Sequence, residues 1–220
     1  VTLVLEQRAL AAALAALTAV GWAFSLGMAA HAHHGADLAA LFAMWAAMMV
    51  GMMIPPEAPA LLVLARARGS AADAGAWLAG FLAPWVLFSL GAAGLQLWLA
   101  ERGLMDHAMA TSSSALAGAL LVAAGAVQLS PLKRACLERC RAAPAAGQPF
   151  LGGLRASALS IASCGLLMLV LFATGVMSVP AMAVLTLLLL LERWLPRGAP
   201  VSAATGALLV LWGLWKLVGA

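Results

Sequence analysis

The sequence predicts an all-α, polytopic bundle of membrane-spanning helices. Three observations carry that reading. Only 9% of the 220 residues are charged and 65% are hydrophobic. The charges fall into narrow gaps between apolar runs, most of which approach the roughly 20 residues that a helix needs to cross a bilayer core. These runs are unbroken, whereas a membrane β-barrel requires alternation of polar and apolar residues. With no water in hydrocarbon, every backbone N–H and C=O must be paired within its own segment, so an unbroken apolar run crosses as a helix.

Seven spans follow in order, at residues 9–30, 38–65, 74–100, 114–129, 156–177, 179–191 and 201–218. The first has an apolar stretch longer than the roughly 7–15 residues of a signal-peptide core, so it reads as a retained span. The alternative rests on Ala30-His31-Ala32, which resembles a cleavage site and would leave His33 as a new N-terminus. The second contains Pro55-Pro56 and is expected to break there, because each proline removes a backbone donor and frees a carbonyl one turn back. The sixth is short and is expected to tilt little or to pair with the fifth as a hairpin. Re-entry of one run would leave six spans. The chain forms one integral membrane domain over 1–220, with a basic loop over 131–154.

Orientation follows from Lys and Arg in the short loops. Alternate loops carry Arg8, Arg66, Arg68, Lys133, Arg134, Arg139, Arg141, Arg155, Arg193 and Arg197, and the intervening ones carry only Arg102 and Lys216. The N-terminus and the 131–154 loop are therefore expected in the cytoplasm. His31, His33, His34 and His107 then fall outside. The net charge of +4 is a product of this topology and implies lipid headgroups as partners, with no nucleic acid. Eight tryptophans and no tyrosine suggest an interfacial belt, since most tryptophans lie near span ends. Gly118 with Gly125, and Gly206 with Gly213, recur every seven residues and predict close helix approach.

The densest chemical signal lies in the second span. Met44, Met48 and Met52 share one helical face, with Met49 and Met53 on the adjacent stripe. Thioethers are soft ligands suited to Cu(I), although methionine is also an adaptable apolar filler. Glu57 follows the prolines, where a carboxylate is either functional or interfacial. In the basic segment Cys136 and Cys140 are four residues apart, which on a helix puts both sulfurs on one face. They read as a two-thiolate Cu(I) site or as two free thiols, not as a structural disulfide at a reducing face. Cys164 and Met168 share a face of the fifth span. His31, His33 and His34, beside Asp37, form a candidate capture site for a metal ion or a solvated polar loop.

Several blocks together resemble a bacterial family described as predicted metal-binding integral membrane proteins. They are Trp45 through Pro55; Gln128-Leu129-Ser130-Pro131-Leu132-Lys133 with Cys136, Leu137, Cys140 and Arg141; Leu167-Met168; Gly175-Val176-Met177; Met182; and Glu192. The resemblance implies a metal-binding membrane protein of the bacterial inner membrane. The chain departs from it in the fifth span. Family members carry a cysteine-rich turn there, whereas Ile161-Ala162-Ser163-Cys164-Gly165 retains only Cys164. A site that needs several of those thiols would be weakened or altered.

Three functions follow, in order of support. The first is binding or translocation of a soft metal ion, copper, through Met44, Met48, Met49, Met52, Met53, Cys164 and Met168, with His31, His33 and His34 outside and Cys136 and Cys140 inside. The second is an accessory or assembly subunit of a larger membrane complex of oxidase or monooxygenase type, with no metal of its own. A homodimer is equally compatible with the small-residue faces. The third is a membrane enzyme acting on lipid or quinone through Glu57, His107 and Glu192. No P-loop, nucleophile elbow, zincin motif or Rossmann fingerprint occurs, so the balance is against an enzyme. Any transport is passive, coupled to another ion or driven by a partner.

Overall fold

In a computed structural model of the chain, the described residues are 2–31, 37–106, 109–141, 147–195 and 198–219, with the side chains of 2–6, 29–31, 140 and 141 outside the description. The elements are helices: α1 (Thr2–His31), α2 (Leu38–Arg68), α3 (Ala71–Glu101), α4 (Ser114–Leu129), α5 (Pro131–Arg141), α6 (Pro149–Leu169), α7 (Leu171–Thr174), α8 (Val179–Trp194) and α9 (Gly198–Val218). The all-α bundle read from composition is the fold that forms. α1, α2, α3, α6 with α7, and α9 are each long and apolar enough to cross a membrane. α4 meets that test only together with α5, from which it is bent by 61°. α8 has 16 residues, about 24 Å of helix against a hydrocarbon core of about 30 Å.

The second span does not break at its prolines. α2 continues for 31 residues through Pro55, Pro56 and Pro59. Unwinding in an apolar surrounding would free more backbone groups than the three donors that proline removes. The carbonyls left without a helical donor belong to Gly51, Met52 and Pro55, four residues upstream. Asp37 caps this helix by accepting from Ala40 N at 2.8 Å, and Gly69, at φ 62°, ends it in the left-handed conformation.

Glycine brings the helices to backbone contact. A Cβ on Gly125 would stand 2.7 Å from Gly206 O, and one on Gly118 would stand 2.9 Å from Gly213 O. The two predicted seven-residue repeats therefore face each other across an antiparallel α4–α9 pair. In the parallel α3–α6 pair, a Cβ on Gly153 would overlap the carbonyl of Trp77, and one on Gly80 that of Phe150. α1 crosses α2 where Gly21 meets Ala47 and Gly51.

Basic residues gather at one end. Arg66 Nε donates to Gln7 Oε1 at 3.1 Å, Arg68 pairs with Asp73 at 3.3 Å, and Arg68 also reaches the carbonyl of Gly147. The opposite end holds the α3–α4 connection. The eight tryptophans differ in burial, and Trp22 is half-buried. Trp98, Trp194, Trp212 and Trp215 are exposed, whereas Trp45, Trp77 and Trp85 are buried in the core. Within the basic segment 131–154, α5 occupies Pro131–Arg141 and α6 starts at Pro149.

Gly125→Ala is expected to destabilise the protein by about 1–3 kcal/mol, the usual cost of overpacking. Gly94→Ala, where nothing lies within 4 Å, is expected to cause no loss. Thermal unfolding of both in one detergent is the check; equal midpoints would contradict backbone contact between α4 and α9.

Candidate functional site

The methionines lie in or against the core of the bundle. Met44, Met48, Met49, Met52, Met53, Met168 and Met182 belong to one contiguous buried core, and Met28, Met105, Met109 and Met177 pack against it. That accounts for all 11 in the chain. The exposed surface is itself strongly apolar, with many leucines, valines and tryptophans. The five methionines in α2 span about 14 Å of helix.

The ladder is pinned at the end away from the basic residues. Trp45, fully buried, stacks on Phe172 of α7 with ring centroids 5.3 Å apart. Its Nε1 donates to Gln96 Oε1 at 2.7 Å, and Gln96 Nε2 donates to Met109 Sδ at 3.3 Å. A helical Phe172 and a polar residue on α3 thus fix the first turn of the methionine face.

At its other end the ladder meets a buried ionic cluster. Glu57 pairs with Arg193 of α8, and Arg193 Nη2 donates to Ser160 Oγ at 3.0 Å. The neighbouring Glu192 pairs with Lys133 Nζ at 2.6 Å and accepts from Gln128 Nε2 at 2.8 Å. Lys133 Nζ also donates to Ser163 O at 3.1 Å. Cys164 lies inside this frame, with Sγ donating to Ser160 O at 2.9 Å. Ser157 Oγ and Gln128 Oε1 are buried there with no hydrogen-bond partner among the described residues. Spacing explains the convergence: Ser157, Ser160 and Cys164 lie on one face of α6, and Lys133 and Cys136 on one face of α5.

The structure unites some predicted site residues and separates others. Met44, Met48, Met49, Met52, Met53, Cys164 and Met168 share the core. Cys136 is buried on α5 and, among the described residues, is a free thiol. Cys140 belongs to the same helix, but its side chain lies outside the described residues, as does that of His31 at the end of α1. His33, His34 and His107 also lie outside them. Asp37 is used as a helix cap. Glu57 and Glu192, considered above as acid–base groups, are each committed to a buried ion pair. Lys133 is not a headgroup-facing residue of a basic loop. It is 1% exposed, because its Nζ answers the carboxylate of Glu192.

Gln96, Ser160 and Arg193 were not legible as site residues, and Gln128 and Lys133 stood out only as part of the block that carries the resemblance. The available signal was the recurrence of small polar groups at helical spacing inside an apolar run, together with a charged pair at the end of a short one. Among the described residues no group of three His, Cys, Asp or Glu side chains is placed to hold a metal ion. What the interior does offer is soft sulfur, which suits Cu(I) and not a hard divalent ion.

Arg193→Met is expected to cost about 3–5 kcal/mol, because it strands the buried carboxylate of Glu57. Glu57→Met/Arg193→Met, which removes both charges, is expected to recover most of that. Denaturant unfolding in detergent measures both; a double variant as unstable as the single one would show that the loss has another origin.

Comparison with known proteins gives one match. The family model PpoB2, described as a copper chaperone, covers residues 42–216. No curated protein matches the chain, and neither does any solved structure. The match reaches from the start of the methionine face into α9, and it supports a copper-related family without singling out the membrane family that the motifs resemble. The chain belongs to the PpoB2 copper-chaperone family.

Proposed function

We propose that the protein is a chaperone of the bacterial inner membrane that holds Cu(I) among the thioethers of α2 and the Cys164–Met168 pair of α6, and passes it along the bundle. The single observation that carries this reading is the placement of every methionine in or against the core. Neutral thioethers can line an apolar interior without the cost of burying charged ligands. A monovalent soft ion then brings one positive charge into the interior and exchanges its hydration for sulfur. The N-terminus faces the cytoplasm in this reading, as the loop charges require. Cys136 and Cys140 then stand at the cytoplasmic end, and His31, His33 and His34 at the outer one.

The family's description as a chaperone favours transfer of copper to another protein over transport for its own sake. It also gives the accessory-subunit reading its place: a larger membrane complex, or a second copy of this chain, would be the recipient or the scaffold. The two readings differ in whether the chain carries the metal itself.

Met48→Leu/Met52→Leu keeps the side-chain volume and removes two sulfurs. We expect Cu(I) affinity to fall about tenfold or more, measured by competition with a chromophoric chelator under anaerobic reducing conditions, with helicity and membrane insertion unchanged. Undiminished affinity would remove the ladder from the copper path. No copper in the unsubstituted chain, together with stable co-purification of partner subunits, would favour the accessory reading.

A further inference from the structure

The connection between α3 and α4, residues 102–113, carries two methionines that the ladder does not include. Met109 has φ 53°, a left-handed conformation that costs a side-chain-bearing residue of order 1 kcal/mol and that glycine would adopt freely. Its backbone is held there from both sides. Met109 N donates to Asp106 O at 3.0 Å, and Val176 N donates to Met109 O at 3.3 Å. Strain of this kind persists where the surroundings over-determine it, typically at ligand sites and switches.

The side chain of Met109 is as constrained as its backbone. An indole N–H can only donate, so Trp45 Nε1 obliges Gln96 to present its oxygen on that side. The amide NH2 of Gln96 is thereby turned toward Met109 Sδ, at 3.3 Å. A thioether is a weak acceptor, and a buried amide spent on one serves to aim the sulfur. The hydrogen bond occupies one lone pair and leaves the other. Met177 follows directly on Val176, whose N–H binds Met109 O. Met105 is bridged to Thr111, whose N–H is bonded to Phe172 O at 2.7 Å. All three methionines are partly buried and pack against the core. Trp45, at the head of this relay, is the sequence neighbour of Met44, the first rung of the ladder.

We infer that Met109, with Met105 and Met177, forms a separate Cu(I) loading site at the mouth of the bundle, from which the ion moves to Met44. This rests on the copper reading above. It adds a site outside the ladder, built of thioethers alone, with Gln96 as its positioning residue. The bound ion exchanges ligands and is neither oxidised nor reduced.

The test uses the full chain in detergent, with Cu(I) offered as its bicinchoninate complex under anaerobic conditions. A variant without the first site, Met44→Leu/Met48→Leu/Met49→Leu/Met52→Leu/Met53→Leu/Cys164→Ala/Met168→Leu, is expected to retain about one thioether-bound Cu(I) per chain, seen as sulfur-only ligation by X-ray absorption. Adding Met105→Leu/Met109→Leu/Met177→Leu is expected to abolish it. A chain without the first site that binds no copper while the unsubstituted chain binds it would overturn the loading site and leave the copper reading standing. An unsubstituted chain that binds none would overturn both. Because multiple substitutions can perturb folding, a second measurement uses the native sequence. Ag(I), a redox-inert probe of the same softness, is expected to slow chloramine-T oxidation of Met105, Met109 and Met177 at least fivefold, read by peptide mass spectrometry. Equal oxidation with and without Ag(I) would refute the site.

Discussion

The pairing of Glu192 and Arg193 with Lys133 and Glu57 is the constraint on which the rest of the bundle depends. Each ion costs several kcal/mol to bury, and only close counter-charges and hydrogen bonds repay that. Two adjacent residues of α8 therefore reach in different directions, one to α4 and α5, the other to α2 and α6. Five helices are tied at one level, and the methionine face of α2 is held in a fixed rotation above that level. The apolar contacts along α2 are non-directional and could not choose between neighbouring rotations alone.

Two kinds of helix contact divide the labour. α4 with α9 and α3 with α6 meet backbone to backbone at glycines, where close packing replaces the hydrophobic drive that lipid cannot supply. α2 instead presents large, flexible side chains inward. Thioethers have several rotatable bonds and a polarisable sulfur, so the centre of the bundle can change its contacts while the glycine seams stay fixed. The bundle thus combines a rigid frame with an adaptable centre.

The fold was legible because the membrane leaves few alternatives: apolar runs, loop charges and heptad-spaced glycines are each local, one-dimensional signals. The ladder was legible for the same reason, since Met44, Met48 and Met52 fall on one face by spacing alone. What could not be read was convergence. Lys133 resembles its neighbour Arg134 in sequence, and only the 61° bend between α4 and α5 turns it inward. Gln96 is one polar residue in a long apolar run until Trp45 and Met109 arrive on either side of it. The break expected at Pro55-Pro56 failed because local propensity was weighed without the neighbouring helices.

The order of charges along the chain has a consequence for biosynthesis. Glu57 and Lys133 are made first, and both precede their counter-ions in the chain. Both counter-ions arrive together, as the dipeptide Glu192-Arg193 at the end of α8. Until then neither of these two buried ion pairs can form. α8 thus closes the structure when it emerges, and a chain that stops before residue 192 lacks the partners of both Glu57 and Lys133.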